Sequence, residues 1–189
     1  MSLLRSIAGA ALLGALSLPA AAQPTYDGYL CCNVRSDGSW ISDSNYAESG
    51  KRVIPAGTPT RVTGYGRSRV QVEINGTKQA IGNDYSRDLD LGTFAKRWVV
   101  TEDPAAKIAK FPPKIRDAIK SARITKGMTR EQVAMAVGYP ISSENPNLDA
   151  PTWRMWLGSF SEFQVQFDRS GRVSEVTTDP QTRNLVVMD

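Results

Sequence analysis

The sequence predicts an α+β protein: a small all-β module followed by a domain of two helices and three strands. Two observations support this prediction. Between residues 23 and 103, short apolar runs alternate with turn residues, which is typical of a compact β module. From residue 113 onward, apolar residues first recur at helical spacing and then fall in three strand-like runs. A chain of 189 residues has room for two such small units.

The N-terminus has the pattern of a secretory signal peptide over residues 1–22. Arg5 supplies a positive charge, residues 7–18 form an apolar run, and Ala20-Ala21-Ala22 offers small residues for cleavage before Gln23. The run is shorter than the about 20 apolar residues that span a bilayer. No cysteine directly follows it to accept a lipid. We therefore expect a periplasmic protein, either free in the periplasm or peripheral at the outer membrane.

The β-rich module is predicted over residues 23–103, and its clearest element is a hairpin. Val70–Ile74 alternates apolar and polar residues, and Asn75-Gly76 follows, a dipeptide that favours a two-residue hairpin turn. The strand after the turn is predicted over 77–81, and a closing strand over 96–101. The arrangement weakly resembles a bacterial SH3-like module.

Prolines mark the boundary between the two units. Residues 104–112 are predicted to be a linker, because proline removes backbone donors and disfavours helix at the preceding residue. A helix can begin near Pro113. Its apolar residues recur at helical spacing: Ile115, Ala118, Ile119 and Ala122.

A second helix is predicted to begin at Thr129. The Thr129 side chain can accept from a free backbone donor, and Gln132 three residues later completes a capping box. Met128 and Val133 have the spacing of a hydrophobic staple across the helix start. Gly138 suits the position after the last turn of the helix.

Three strands are predicted after the helices, over residues 152–157, 163–167 and 173–178. The alternation places Phe163, Val165 and Phe167 on the face towards the helices. The domain is assigned to residues 113–179, and residues 180–189 are predicted to be a C-terminal tail.

Residues spread over this domain resemble the SmpA/OmlA (BamE-like) domain family. The matching positions are Gly127-Met128-Thr129, Gln132-Val133, Gly138, Pro140, Trp153, Val165, Phe167 and Gly171-Arg172-Val173. The resemblance implies two helices packed on a three-stranded antiparallel sheet, in a bacterial envelope protein. It also implies a link to outer-membrane protein assembly and an affinity for phosphatidylglycerol.

Composition excludes several kinds of catalytic and metal site. The chain has no histidine, which removes histidine-dependent triads and histidine metal sites. Its two cysteines are adjacent, so a four-thiolate zinc site is impossible. Asp84, Asp88 and Asp90 lack the spacing of a calcium loop. We expect no catalytic residue, no cofactor and no metal.

Cys31 and Cys32 lie in a strand-like run, which predicts that their side chains point to opposite faces. One reading is a buried small residue beside a partly exposed one. The other is a redox or intermolecular role.

Positive charge is concentrated in residues 105–125. This segment contains six basic residues and a single acid, Asp117. One reading is a solvated helix face, and the other is a contact with anionic lipid headgroups. Nucleic acid is not an expected partner, because only Phe111 is aromatic there and the chain is expected to be exported.

A candidate partner-binding surface follows from strand parity. Trp153 belongs to the core face, so Arg154 and Trp156 should lie on the opposite face of the sheet. Tryptophan beside arginine is typical of a binding hot spot. With Lys114 and Lys120 of the basic helix, these residues are the predicted partner-binding set.

These observations together predict a non-enzymatic envelope binding protein, acting in outer-membrane protein assembly or envelope maintenance. Its partners would be an envelope protein, an anionic phospholipid surface, or both. One alternative is a secreted inhibitor or adaptor of an envelope enzyme. A second is a carboxylate-dependent cell-wall hydrolase, which needs two acids about 5–9.5 Å apart in a cleft.

Overall fold

A computed structural model describes residues 23–48 and 50–189. The predicted signal peptide lies outside the described residues. The chain forms eleven strands and five helices over this part. The strands are β1 (Tyr26–Leu30), β2 (Val34–Ser36), β3 (Trp40–Ser42), β4 (Arg52–Ile54), β5 (Pro59–Tyr65), β6 (Arg69–Ile74), β7 (Thr77–Gly82), β8 (Val99–Val100), β9 (Thr152–Gly158), β10 (Ser161–Phe167) and β11 (Val173–Thr177). The helices are α1 (Leu91–Trp98), α2 (Pro104–Ile108), α3 (Pro113–Lys120), α4 (Arg130–Val137) and α5 (Pro180–Val186).

The strands form two sheets of unequal size. Eight strands build a curled half-barrel in the order β4-β2-β3-β7-β6-β5-β1-β8. Three strands build the second sheet in the order β11-β10-β9. β3 and β7 are parallel, and the other pairs are antiparallel.

The predicted fold class is therefore wrong. The described part of the chain is mostly β, with 22% helix, and it is not an α+β protein made of an SH3-like module and a BamE-like ααβββ domain. The larger sheet grows through pairings between strands distant in sequence. β3 pairs with β7 across residues 43–76, and β8 pairs with β1. Such pairings are set by tertiary packing, so local alternation does not reveal them.

The predicted strand over residues 96–101 is also wrong in its first half. Residues 96–98 form the last turn of α1, and only Val99–Val100 are extended. Asp90 caps this helix, because its carboxylate accepts from the Thr93 N–H at 2.9 Å. Phe94 and Trp98, one turn apart, are both 1% exposed, and they anchor the helix against the large sheet.

Several local predictions are confirmed. The Val70–Ile74 hairpin turns at Asn75-Gly76, where both residues have positive φ. The capping box at the start of α4 is complete, since Thr129 and Gln132 bond each other's backbone N–H groups. Gly138 ends α4 with φ of 89°.

Two segments that were predicted without secondary structure contain helices. The segment predicted as a linker contains α2, and the segment predicted as a tail contains α5.

The protein has two hydrophobic cores, one per sheet. The core of the large sheet contains Leu30, Ile41, Phe94 and Trp98. The second core lies between the three-stranded sheet and helices α3 and α4, and it contains Ile119, Val133, Trp153 and Val165. α5 closes this second core with Val186, which is 1% exposed.

Asn33 joins the two cores. Its amide nitrogen Nδ2 donates to the carbonyls of Ile119 (2.6 Å) and Ala136 (3.0 Å), at the ends of α3 and α4. Its backbone N–H donates to the Met135 carbonyl at 2.9 Å, and its Oδ1 accepts from the Ala56 N–H at 3.0 Å. Asn33 is 4% exposed, so these bonds are shielded from water.

Asn45 supports the same junction from the other side. It has φ of 55°, a left-handed conformation that asparagine tolerates better than most residues. Its Nδ2 donates to the carbonyls of Asn33 (3.1 Å) and Val137 (2.8 Å). We call the hydrogen bonds of Asn33 and Asn45 to the α3–α4 helices, and to each other, the asparagine clasp.

We expect Thr129→Ala to lower the free energy of unfolding by about 0.5–2 kcal/mol, because alanine cannot accept from the free N–H at the start of α4. Urea denaturation measures the change. Thr101→Ala, at an exposed threonine outside helices, is the matched control and should be neutral. Equal stability of both variants would contradict the capping role.

We expect Asn33→Ala to cost more, about 2–4 kcal/mol, because several buried backbone groups lose their partner together. Asn184→Ala, at an exposed position of α5, is the control. The free energy of unfolding from urea titration tests this. A loss below 1 kcal/mol in Asn33→Ala would mean that the clasp does not hold the two cores together.

Candidate binding surfaces

The outer face of the three-stranded sheet carries the predicted pair Arg154 and Trp156. Trp153 is 1% exposed and faces the core, so the predicted parity of β9 is confirmed. The Arg154 guanidinium lies 4.9 Å from the centre of the Trp156 ring, within the range of a cation–π contact. Phe160, in the turn between β9 and β10, is 100% exposed.

Two carboxylates hold these side chains in place. Glu162 accepts from the Arg154 guanidinium at 2.7 Å, and Glu144 accepts from the Trp156 indole N–H at 2.8 Å. The Arg154 hydrogen bond holds the pKa of Glu162 below its ordinary value and raises that of Arg154. With two carboxylates and one guanidinium, this group carries an excess of negative charge. It is therefore poorly suited to bind an anion.

Lys114 and Lys120 do not join Arg154 and Trp156. Both lysines are exposed on α3, whose Ile115, Ala118 and Ile119 pack into the core beneath the sheet. Because Arg154 and Trp156 project from the opposite face of that sheet, the predicted set falls on two separate surfaces. The alternation of residues along a strand predicts which face of the sheet each side chain occupies. It does not predict on which face of the sheet a helix packs.

The second surface is basic and surrounds α3. It comprises Lys110, Lys114, Arg116, Lys120, Arg123 and Lys126, which we call the basic surface. Within the described part of the chain, none of these six side chains forms an ion pair. Lys107, in contrast, is bound to Glu131 at 2.6 Å. The basic surface therefore keeps most of its charge uncompensated.

The two cysteines form a disulfide with each other. The prediction that their side chains point to opposite faces is wrong, because the chain bends between β1 and β2 instead of continuing as a strand. Cys31 is 7% and Cys32 0% exposed. The sequence left open whether the two cysteines are bonded, because adjacency by itself does not predict a mutual disulfide.

A cleft of about 190 Å³ opens beside the disulfide. Cys31 lines it together with Met135 and Tyr139 from the end of α4. Burial raises the pKa of Tyr139, whose ring lies 5.4 Å from the Arg97 guanidinium. The mouth carries charged residues from both halves of the chain: Glu102, Asp103, Lys107 and Glu131.

The three aspartates that the sequence brings together, Asp84, Asp88 and Asp90, have structural partners. Asp84 pairs with Arg69 at 2.8 Å, Asp90 caps α1, and Asp88 accepts from the Ser142 hydroxyl. Residues 23–48 and 50–189 hold no group of three or more side chains arranged to ligate a metal. The buried Asp43 accepts from the Tyr85 N–H, and burial raises its pKa. It lines none of the clefts described above.

Comparison with protein-family models, curated proteins and solved structures finds no match to this chain. Across the described residues, every helix is too short or too polar to cross a bilayer.

Proposed function

We propose that this chain is an exported, non-catalytic binding protein that attaches to anionic phospholipid in the cell envelope through its basic surface. The observation that carries the proposal is the group of six cations around α3 that have no ion-pair partner among the described residues. Each lysine or arginine near an anionic membrane contributes about 1 kcal/mol to binding. Six of them are enough for an attachment that salt can reverse.

The geometry of α3 supports this use. Its apolar residues are turned into the core, so its charged side chains are the part available for contact. Lys114 and Lys126 line one cleft, which Glu175 and Asp189 also line, whereas Arg116 and Lys120 line another. The cations are thus divided between two clefts instead of forming a single row, which suits a diffuse contact with headgroups.

Two features support export. The N-terminal residues have the pattern of a signal peptide. The Cys31–Cys32 disulfide is expected to persist in an oxidising compartment such as the periplasm. The link to outer-membrane protein assembly came from the family resemblance. Because the fold that it implied is wrong, the proposal keeps the envelope and the binding role without the assembly machine.

Charge reversal on α3 tests the attachment. We expect Lys114→Glu/Lys120→Glu to weaken binding to phosphatidylglycerol vesicles at least about 30-fold at low salt, since two attractive charges become repulsive. Lys78→Glu/Lys96→Glu, at two exposed lysines of β7 and α1, changes the net charge equally and is the control. Vesicle co-sedimentation measures both. Equal weakening in both variants would show that net charge acts instead of the basic surface.

A second candidate function is binding of a protein partner at the face of Arg154 and Trp156, as an inhibitor or adaptor would do. The fully exposed Phe160 near the partly exposed Trp156 favours it, because aromatic side chains are frequent hot spots. The carboxylates Glu144 and Glu162 beside them disfavour an anionic membrane on this face.

Trp156→Ala separates the two candidates. We expect vesicle binding to stay within about twofold of wild type, since this face repels anionic headgroups. Gln166→Ala, at a residue of β10 whose side chain bonds Thr177 and not the Arg154 group, is the matched control. Vesicle co-sedimentation at low and high salt is the measurement. A tenfold loss in Trp156→Ala alone would assign lipid binding to the aromatic face and refute its assignment to α3.

A further inference from the structure

The disulfide lies at the point where the two halves of the chain are joined. The Cys31 N–H donates to the Trp98 carbonyl at 2.9 Å, which holds it to the end of α1. One residue beyond Cys32, the Asn33 N–H donates to the Met135 carbonyl of α4. The Cys31–Cys32 pair therefore lies between a contact with the first half of the chain and a contact with α4.

We propose that the Cys31–Cys32 disulfide is a redox-active site that exchanges with small neutral or cationic thiols entering the cleft, and that its reduction loosens the asparagine clasp. The proposal is independent of the basic surface. It assigns a thiol as co-substrate and the disulfide as the group that is reduced.

Access determines which sulfur is attacked. Cys31 lines the cleft, whereas Cys32 is 0% exposed and does not line it. A cleft of about 190 Å³ admits a molecule of a few non-hydrogen atoms and excludes a folded protein. Cys31 is therefore the residue that an incoming thiolate attacks, and Cys32 is the leaving group.

Charge at the cleft determines which thiols enter. Glu102, Asp103 and Glu131 line the cleft with one cation, Lys107, and a second cation, Arg97, lies against the Tyr139 ring, so the acids are in excess. Clefts lined by one sign of charge raise the local concentration of ligands of the other sign and exclude those of the same sign. A thiol with an ammonium group should therefore react faster than one with a sulfonate.

The exchange balances in two steps. The thiolate RS⁻ attacks the Cys31 sulfur, the S–S bond breaks, and Cys32 leaves as a thiolate that takes up a proton. This gives a mixed disulfide between R and Cys31. A second RS⁻ attacks the sulfur of R, forming RSSR and releasing the Cys31 thiolate, which is protonated. The protein disulfide gains two electrons, and two RSH molecules are oxidised to RSSR.

Reduction of the disulfide affects the asparagine clasp through the backbone that leads from Cys31 and Cys32 to Asn33. The disulfide closes a small ring that contains the peptide bond between Cys31 and Cys32, so it restricts the backbone angles of both residues. Opening the ring restores their conformational freedom. Asn33 follows directly, and its bonds to Ile119, Ala136 and Met135 depend on where this backbone places it.

The first experiment compares cysteamine with 2-mercaptoethanesulfonate, thiols of similar size and opposite charge. The loss of the disulfide is followed by thiol labelling and mass spectrometry. Each rate constant is expressed per thiolate. It is then divided by the rate constant of the same thiol with a small uncharged disulfide, which removes the difference in intrinsic reactivity between the two thiols. We expect cysteamine to be at least about fivefold faster at low salt, with a smaller ratio at high salt.

A matched pair of variants assigns the charge effect to the cleft. Glu102→Gln should reduce the cysteamine preference, whereas Glu175→Gln, at an exposed position of β11, should leave it unchanged. Equal normalised rates for the two thiols in wild type, or a disulfide that neither thiol reduces in the folded protein, would overturn the proposed site.

The second experiment follows the clasp by hydrogen exchange. Oxidised protein, reduced protein and the Cys31→Ser/Cys32→Ser variant are compared over a peptide covering residues 30–36, with residues 161–167 as the control. We expect faster exchange of the Asn33 amide in both disulfide-free forms and no change in the control. If the double variant does not fold, the reduced wild type gives the same measurement. Unchanged exchange at Asn33 would overturn the coupling.

Discussion

The arrangement of the two halves depends on a buried asparagine, Asn33. Its side chain supplies two donors and one acceptor, and all three find backbone partners: the carbonyls of Ile119 and Ala136 and the N–H of Ala56. A buried polar group that keeps all its hydrogen bonds fixes one geometry, because any shift leaves a group unpaired at a cost of about 1–3 kcal/mol. The clasp therefore sets the position of α3 and α4 relative to the large sheet.

The asparagine clasp is not the only contact of this kind, because residues outside the smaller sheet also form hydrogen bonds to its edge strand, β9. The Ala47 N–H donates to the Leu157 carbonyl of β9 at 2.7 Å. Further along β9, the Asn145 side chain bonds both the N–H and the carbonyl of Arg154 and so imitates a neighbouring strand. An exposed strand edge is a site of unwanted pairing between chains. The Ala47 contact therefore also ties the smaller sheet to the N-terminal half of the chain.

Local structure could be predicted from the sequence where neighbouring residues determine it. Asn75-Gly76 makes its hairpin and Thr129 caps its helix because both effects act within four residues. The prediction failed where partners are distant: β3 beside β7 and Asn33 beside Ile119. At the candidate sites, the alternation of residues along β9 predicted that Arg154 and Trp156 share one face. It did not predict that Glu144 and Glu162 bind them, because both lie outside β9. Neutralisation of Arg154 therefore could not be foreseen.

The structure also separates charges that the sequence suggested would act together. Arg154 is held by two carboxylates, so it contributes little to attraction of an anionic partner. The cations around α3 keep most of their charge because none of them forms an ion pair among the described residues and the segment 105–125 contains a single acid, Asp117. Long-range attraction depends on uncompensated charge rather than on the number of basic residues. The face of Arg154 and Trp156 is consequently suited to short-range aromatic contacts. The surface that an anionic membrane would meet first is α3.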